Sequence, residues 1–268
     1  MILGAAAGDI VGEIYEFNNL KSEEFPLFAK DSTFTDDTVM TYAVADALLR
    51  AFDEGEPIST ALIECMREYG HRHPMRGYGF RFHNWLQDSR THPEPYNSWG
   101  NGSAMRVSPA AWVCSTLESV EFVAAETAKV THNHPEGIRG AQATASCIYL
   151  ARIGTSNDDI RSFVSTRYGY DMDFTLDQIR PTYEFVESCQ GSVPQAIEAF
   201  LESDSFEDAI RKAISIGGDS DTIGAIAASI AQGRYGVPDE IEAEVRSRLT
   251  PDLLAINDRF CERFEVGM

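Results

Sequence analysis

Two short acidic stretches, TDDT at residues 35–38 and DSDT at residues 219–222, each come directly before a segment with helical periodicity. Apolar residues recur every three or four positions behind both of them, which is the pattern of an amphipathic helix. Asp, Ser and Thr are ordinary N-cap residues, because they accept hydrogen bonds from free backbone N–H groups at a helix start. Capping therefore explains either stretch taken alone.

The number of carboxylates exceeds what capping requires. Four of them, Asp36, Asp37, Asp219 and Asp221, stand at the two predicted helix starts. If the starts meet, two unit charges about 4 Å apart repel by roughly 4 kcal/mol at an effective dielectric near 20. A divalent cation such as Mg²⁺ removes that repulsion and prefers carboxylate and hydroxyl oxygens. The sequence therefore predicts a two-metal site, on condition that the two loops meet.

The rest of the chain has helical periodicity and no run of alternating β-branched residues. Long irregular loops at residues 18–35 and 88–106 are candidates for function. The sequence predicts an all-α fold, a compact single-domain helical bundle over residues 1–268. Further helices are predicted at residues 3–16, 58–69, 117–130, 138–153, 158–168, 176–189, 194–201, 206–216, 238–249 and 252–264.

Acidic residues outnumber basic ones, and the net charge is −20. This balance disfavours nucleic acids and anionic membranes as partners. We find no secretory signal and no stretch of 18 apolar residues, and the five cysteines have neither zinc nor disulfide spacing. We therefore expect a cytoplasmic protein with no membrane partner, and we expect a monomer.

Two further motifs offer groups suited to binding or catalysis, but each is weak evidence when taken alone. Residues 98–103, SWGNGS, form a Gly-rich loop that can present backbone N–H groups to phosphate oxygens, and Trp99 can stack on a base. Asp9, Glu13 and Glu16 lie on one face of the first predicted helix. That face is either a solvated acidic surface or part of a site.

Together the motifs resemble those of the ADP-ribosylglycohydrolases, a family that includes the enzyme that reactivates dinitrogen reductase and the mammalian ADP-ribosylhydrolases. The resemblance covers nearly the whole chain and implies the family fold, a compact all-α bundle with a two-metal cleft. Six motifs occur in the family's order: GDIVG at 8–12 with Glu16, TDDT at 35–38, GYG at 77–79, GNGSAMR at 100–106, HNHPEG at 132–137 and GGDSDT at 217–222.

The resemblance also implies roles for individual residues. Glu16 matches a glutamate that acts on the water or the leaving group, and Asp36 and Asp221 are the other expected catalytic residues. The expected ligands of two Mg²⁺ or Mn²⁺ ions are Thr35, Asp36, Asp37, Asp219, Asp221 and Thr222. The positions expected around ADP-ribose are Gly77, Gly79, Ser98, Trp99, Gly100, Asn101 and His132.

The implied activity is metal-dependent hydrolysis of the glycosidic bond at ribose C1, which releases ADP-ribose from a modified protein side chain, with arginine as the expected acceptor. Such a bond breaks through an oxocarbenium-like state. Two metals can hold the vicinal ribose hydroxyls and orient a water, and a carboxylate then handles the proton. Two alternatives stay open: a metal-dependent hydrolase of another nucleotide or phosphoester, and a non-catalytic relative that binds ADP-ribose or is structural.

Overall fold

Fourteen α-helices and two short 3-10 turns make up the regular structure of residues 2–264 and 266, which the computed structural model describes. This part of the chain contains no strand, and the all-α prediction is confirmed. The helices are α1 (Leu3–Gly12), α2 (Asp36–Glu54), α3 (Ile58–Arg72), α4 (Phe80–Leu86), α5 (Gly102–Met105), α6 (Leu117–Lys129), α7 (Pro135–Arg152), α8 (Asn157–Tyr168), α9 (Leu176–Ile179), α10 (Cys189–Leu201), α11 (Phe206–Ser215), α12 (Ser220–Tyr235), α13 (Asp239–Arg248) and α14 (Pro251–Phe264).

The helices α1 and α12 form the centre of the bundle and pack directly against each other. Every residue of α1 is buried, and six of its ten residues are glycine or alanine, which allow close packing. The backbones touch where Gly8 faces Gly224, because a Cβ on Gly8 would overlap the Gly224 carbonyl group. At the end of α1, a Cβ on Gly12 would lie 2.6 Å from the Asp221 Cα atom.

The helix α2 begins and ends with residues suited to its termini. The Thr35 hydroxyl accepts a hydrogen bond from the Asp37 N–H at 3.2 Å, as an N-cap does. Gly55 ends the helix in the left-handed conformation, with φ of 73°. Thirteen of its nineteen residues are buried against the core. The start of this helix is therefore fixed by both its cap and its packing.

The prediction of one continuous helix at residues 176–189 is wrong. The helix α9 ends at Ile179, because Pro181 lacks the N–H that would continue the helical hydrogen bonds and its ring crowds the preceding turn. The chain then runs without helix to α10, which begins at Cys189 and contains Pro194 in its interior. The irregular stretch places Tyr183 and Glu187 near the N-terminus of α12.

None of the described helices combines the length and hydropathy that a membrane crossing requires.

We expect Gly8→Ala to destabilise the protein by about 1–3 kcal/mol, because the added methyl group must push α1 away from α12. Urea unfolding measures this difference. Gly79→Ala is the control, since Gly79 has φ of −55° and no atom lies within 4 Å of an added Cβ. Equal stabilities of the two variants would contradict the close contact of the two helices.

Candidate active site

One buried carboxylate, that of Asp9, joins α1 to the start of α2. Its oxygens accept hydrogen bonds from the Thr35 N–H at 2.9 Å, the Thr38 N–H at 3.1 Å and the Thr38 hydroxyl. Burial raises the pKa of Asp9 to about 6, although the hydrogen bonds from Thr38 and Thr35 oppose that rise. Since Gly12, one turn further along α1, lies against Asp221, α1 brings the two acidic helix starts together. The condition that the sequence left open is met.

Three carboxylates form the tightest acidic cluster among the described residues. One oxygen each of Glu16, Asp219 and Asp221 lies within 4.8 Å of the other two. Asp36 and Asp37 line the same cavity. Two helix starts and the turn after α1 therefore contribute five carboxylates to one site.

Capping does not account for these acids. The Asp219 carboxylate makes no cap hydrogen bond to α12, and its Oδ2 atom accepts one from the Asn101 amide at 2.6 Å. The Asp37 Oδ2 atom is buried without any hydrogen-bond partner. A buried carboxylate oxygen without a partner is costly, so the unpaired Asp37 oxygen indicates a place for a ligand.

Burial and mutual repulsion raise the pKa values of the whole group. Desolvation, followed by the charge of Asp221, raises the pKa of Asp36 and Asp37 well above the ordinary value. Desolvation and the neighbouring Asp219 do the same for Asp221. For Glu16, burial and then the charges of Asp221 and Glu187 raise the pKa to about 8. Carboxylate and hydroxyl oxygens held so close together suit a hard divalent cation.

These acids line a cavity of about 360 Å³, large enough for part of a nucleotide-sized ligand. Glycines keep the cavity free of side chains. Gly77, with φ of 94°, lies beside Asp36, and an added Cβ on Gly77 would be 3.3 Å from the Asp36 Oδ1 atom. The predicted site residues that line the cavity are Glu16, Asp36, Asp37, Gly77, Gly79, Ser98, Gly100, Asn101, His132, Asp219, Asp221 and Thr222.

The family model described as ADP-ribosylglycohydrolase matches residues 1–267 of the chain. The protein belongs to the ADP-ribosylglycohydrolase family. The resemblance seen in the motifs is thus confirmed over almost the full length, and the family accounts for the all-α bundle.

Characterised members of the family are similar to the chain at about the same level. The mouse ADP-ribosylhydrolase ARH3 (Mus musculus) is 27% identical, over 95% of this chain and 88% of its own. The ADP-ribosylarginine hydrolase Tri1 of Pseudomonas putida is 27% identical, over 88% and 70%. The ADP-ribosyl-[dinitrogen reductase] glycohydrolase of Rhodospirillum rubrum is 27% identical, over 95% and 94%.

The fold has a counterpart among solved structures. An ADP-ribosylglycohydrolase-related protein complex contains a chain that superposes with a TM-score of 0.72. The match covers 100% of this chain and 96% of the other, at 20% sequence identity. At that identity the comparison supports the ADP-ribosylglycohydrolase fold.

Two predicted site residues lie outside the cavity lining. Thr35 is the N-cap of α2, where its hydroxyl is bonded to the Asp37 N–H and its own N–H to Asp9. Trp99 is 52% exposed and makes an edge contact with His134 at a centroid distance of 5.7 Å. The metal role of Thr35 and the stacking role of Trp99 in this family member stay predictions.

The cavity also contains residues for which the sequence predicted no role. Arg106 is the last residue of the GNGSAMR motif, and this motif was the sequence signal for its place in the cavity. Arg81 follows the GYG motif by two residues. Tyr96 lies in the irregular loop at residues 88–106, and Glu187 lies in the segment for which the sequence wrongly predicts a helix, so only the folded chain places them here. The cavity therefore combines carboxylates with two guanidinium groups.

We expect the metal-free protein to lose stability as the pH rises. The Glu16 carboxyl has a pKa of about 8 against an ordinary 4.5, so its stabilising proton is fully present below about pH 4.5 and is lost as the pH passes 8. In EDTA, Glu16→Gln should lose less stability than the wild type between about pH 6 and pH 8, as measured by urea unfolding. Glu24→Gln, an exposed carboxylate of the following loop, should behave as the wild type does. Equal pH dependence of all three proteins would contradict the raised pKa.

Proposed function

We propose that this protein is a metal-dependent hydrolase that removes ADP-ribose from modified protein side chains by cleaving the glycosidic bond at ribose C1. The observation that carries the proposal is the meeting of five carboxylates from separate segments in one cavity, at the positions expected from the family motifs. The residues that would hold two Mg²⁺ or Mn²⁺ ions are Thr35, Asp36, Asp37, Asp219, Asp221 and Thr222.

Bound divalent cations would supply positive charge that orients the ribose hydroxyls and lowers the pKa of an attacking water. In the hydrolysis, the bond between ribose C1 and the acceptor nitrogen breaks and the water oxygen bonds to C1. Glu16 moves the proton, taking it from the water or giving it to the leaving nitrogen, because its carboxyl lies beside Asp219 and Asp221. Arg81 and Arg106 in the cavity wall provide the charge that an ADP-ribose diphosphate requires.

We propose arginine as the acceptor side chain, because the residues around Glu16 suit a guanidinium group. Phe17 follows Glu16 and stacks on Phe185 at a centroid distance of 5.9 Å, and both rings are exposed, by 86% and 41%. Glu187, two residues after Phe185, lines the cavity. Exposed aromatic rings beside carboxylates bind guanidinium groups by cation–π and charge-assisted contacts.

The relatives support hydrolysis of ADP-ribosyl linkages, and one of them is an ADP-ribosylarginine hydrolase. The partner would therefore be the ADP-ribose moiety of an ADP-ribosylated protein. We further propose that the chain acts as one domain spanning residues 1–268, as a monomer and in the cytoplasm. A non-catalytic ADP-ribose binder is the second candidate, and the experiments below separate it from the enzyme.

The first experiment measures the release of free ADP-ribose from peptides ADP-ribosylated on arginine or on serine, with Mg²⁺, with Mn²⁺ and with EDTA. We expect turnover of the arginine-linked peptide that EDTA abolishes. Asp219→Asn should lower turnover by about 10²-fold or more, while Asp31→Asn, an exposed control, should leave it unchanged. AMP or phosphate as the product would indicate the alternative hydrolase, and no product at all would indicate the binder.

The second experiment measures turnover and ADP-ribose affinity on Glu16→Gln, which preserves the size of the side chain. We expect turnover to fall by 10²–10⁴-fold with little change in the dissociation constant for ADP-ribose, because proton transfer alone is lost. Turnover close to that of the wild type would remove Glu16 from the mechanism. Loss of both quantities would assign Glu16 to holding the cations.

The third experiment compares KM values for the arginine-linked peptide. Phe185→Ala and Glu187→Gln should each raise KM by about two- to fivefold, because one exposed cation–π or ionic contact is lost. Phe122→Ala, which removes an exposed ring on α6, is the matched control. Unchanged KM values for both variants would contradict the recognition of a guanidinium group at this position.

A further inference from the structure

A buried arginine connects the core of the protein to the cavity. Arg106 is 1% exposed, and its Nη2 atom donates hydrogen bonds to the Thr127 carbonyl at 3.0 Å and to the Thr131 hydroxyl at 2.8 Å. It makes no ion pair with a carboxylate among the described residues. A guanidinium group can only donate hydrogen bonds, so the Thr131 oxygen must act as the acceptor.

The second hydrogen bond of the Thr131 hydroxyl leads to His132. The distance between the Thr131 Oγ1 atom and the His132 Nδ1 atom is 2.7 Å, and Thr131 is fully buried. Within the described part of the chain, Nδ1 is the only acceptor within reach of the hydroxyl proton. A buried hydroxyl that leaves its proton unpaired is costly, so Thr131 donates to Nδ1.

This arrangement decides which nitrogen of His132 carries hydrogen. A neutral imidazole has one N–H group, so an Nδ1 atom that accepts leaves the proton on Nε2. The Nε2 atom borders the Gly-rich loop, where an added Cβ on Gly102 would lie 3.2 Å from it, and no described residue accepts a hydrogen bond from it. His132 is only 5% exposed and lines the cavity.

The surroundings also keep the ring neutral. Burial, followed by the charges of Arg106 and Arg81, lowers the pKa of His132 well below its ordinary value. The remaining neighbour, Tyr96, lies 5.9 Å away between ring centroids and is itself neutral, because burial raises its pKa to about 12.

We propose that Thr131, oriented by Arg106, is a positioning residue that fixes His132 in the Nε2–H tautomer. His132 is then a hydrogen-bond donor to an acceptor oxygen of the bound ligand and not a base. The identity of that ligand as ADP-ribose rests on the proposed function. The opposite tautomer would present a lone pair to the same oxygen, so it would weaken binding.

The tautomer is measured directly in the free protein by ¹⁵N–¹H correlation spectra of the histidine rings, with His132→Gln used to assign the signal. We expect hydrogen on Nε2 of His132 in the wild type. A spectrum with hydrogen on Nδ1 of His132 would overturn the proposal. This test uses the wild-type protein, so it does not depend on the folding of any variant at position 131.

Two variants at position 131 separate the hydroxyl from the volume of the side chain. Thr131→Ser retains the hydroxyl and should retain the Nε2–H signal and the ADP-ribose affinity. Thr131→Val retains the shape and should show a mixture of tautomers and about tenfold weaker ADP-ribose binding, since one ligand hydrogen bond is compromised. Circular dichroism and the melting curve check that both variants are folded. A Thr131→Val protein with the wild-type spectrum and affinity would overturn the proposal.

The two proposals fail in different ways. A wild-type protein that shows the Nε2–H signal but binds no ADP-ribose would contradict the proposed function and leave the tautomer in place. A protein that hydrolyses ADP-ribosylated peptides but carries hydrogen on Nδ1 would contradict only the role of Thr131.

Discussion

The contact between the backbones of α1 and α12 is the constraint on which the rest of the site depends. Because Gly8 meets Gly224 without intervening side chains, the end of α1 reaches the start of α12 and places Gly12 against Asp221. The same helix carries Asp9, whose carboxylate accepts hydrogen bonds from the Thr35 and Thr38 N–H groups at the start of α2. One small-residue helix thus holds both acidic helix starts at a fixed separation.

That arrangement crowds ionisable carboxyl groups into a buried part of the fold, where the charged form of each is disfavoured. The carboxyls of Asp36, Asp37 and Asp221 all have pKa values raised by burial and by one another, so the metal-free protein carries electrostatic strain at its centre. A divalent cation would turn this repulsion into attraction, and binding would stabilise the folded state. If the cations bind as proposed, the same carboxylates couple function to stability.

The sequence predicted the parts of the site that repeat a local pattern. Acidic helix starts and Gly-rich turns can be recognised in a sequence without knowledge of the fold. Nearly all of the site residues predicted from them line the cavity. Tertiary folding decided the rest. Trp99 has the right neighbours in sequence but faces solvent, and Glu187 lies in a segment predicted as helix that Pro181 prevents from forming. Arg106 was in a recognised motif, yet its hydrogen bond to Thr131 depends on two helices that only the fold brings together.

The central claim is that the two acidic helix starts jointly hold divalent cations. Anomalous diffraction from crystals grown with Mn²⁺ tests it most directly, because the scattering identifies both the ion and its position. The account predicts two Mn²⁺ peaks within coordination distance of carboxylates from both starts, Asp36 and Asp37 on one side and Asp219 and Asp221 on the other. Absence of any peak in this cavity, at an Mn²⁺ concentration that supports turnover, would contradict it.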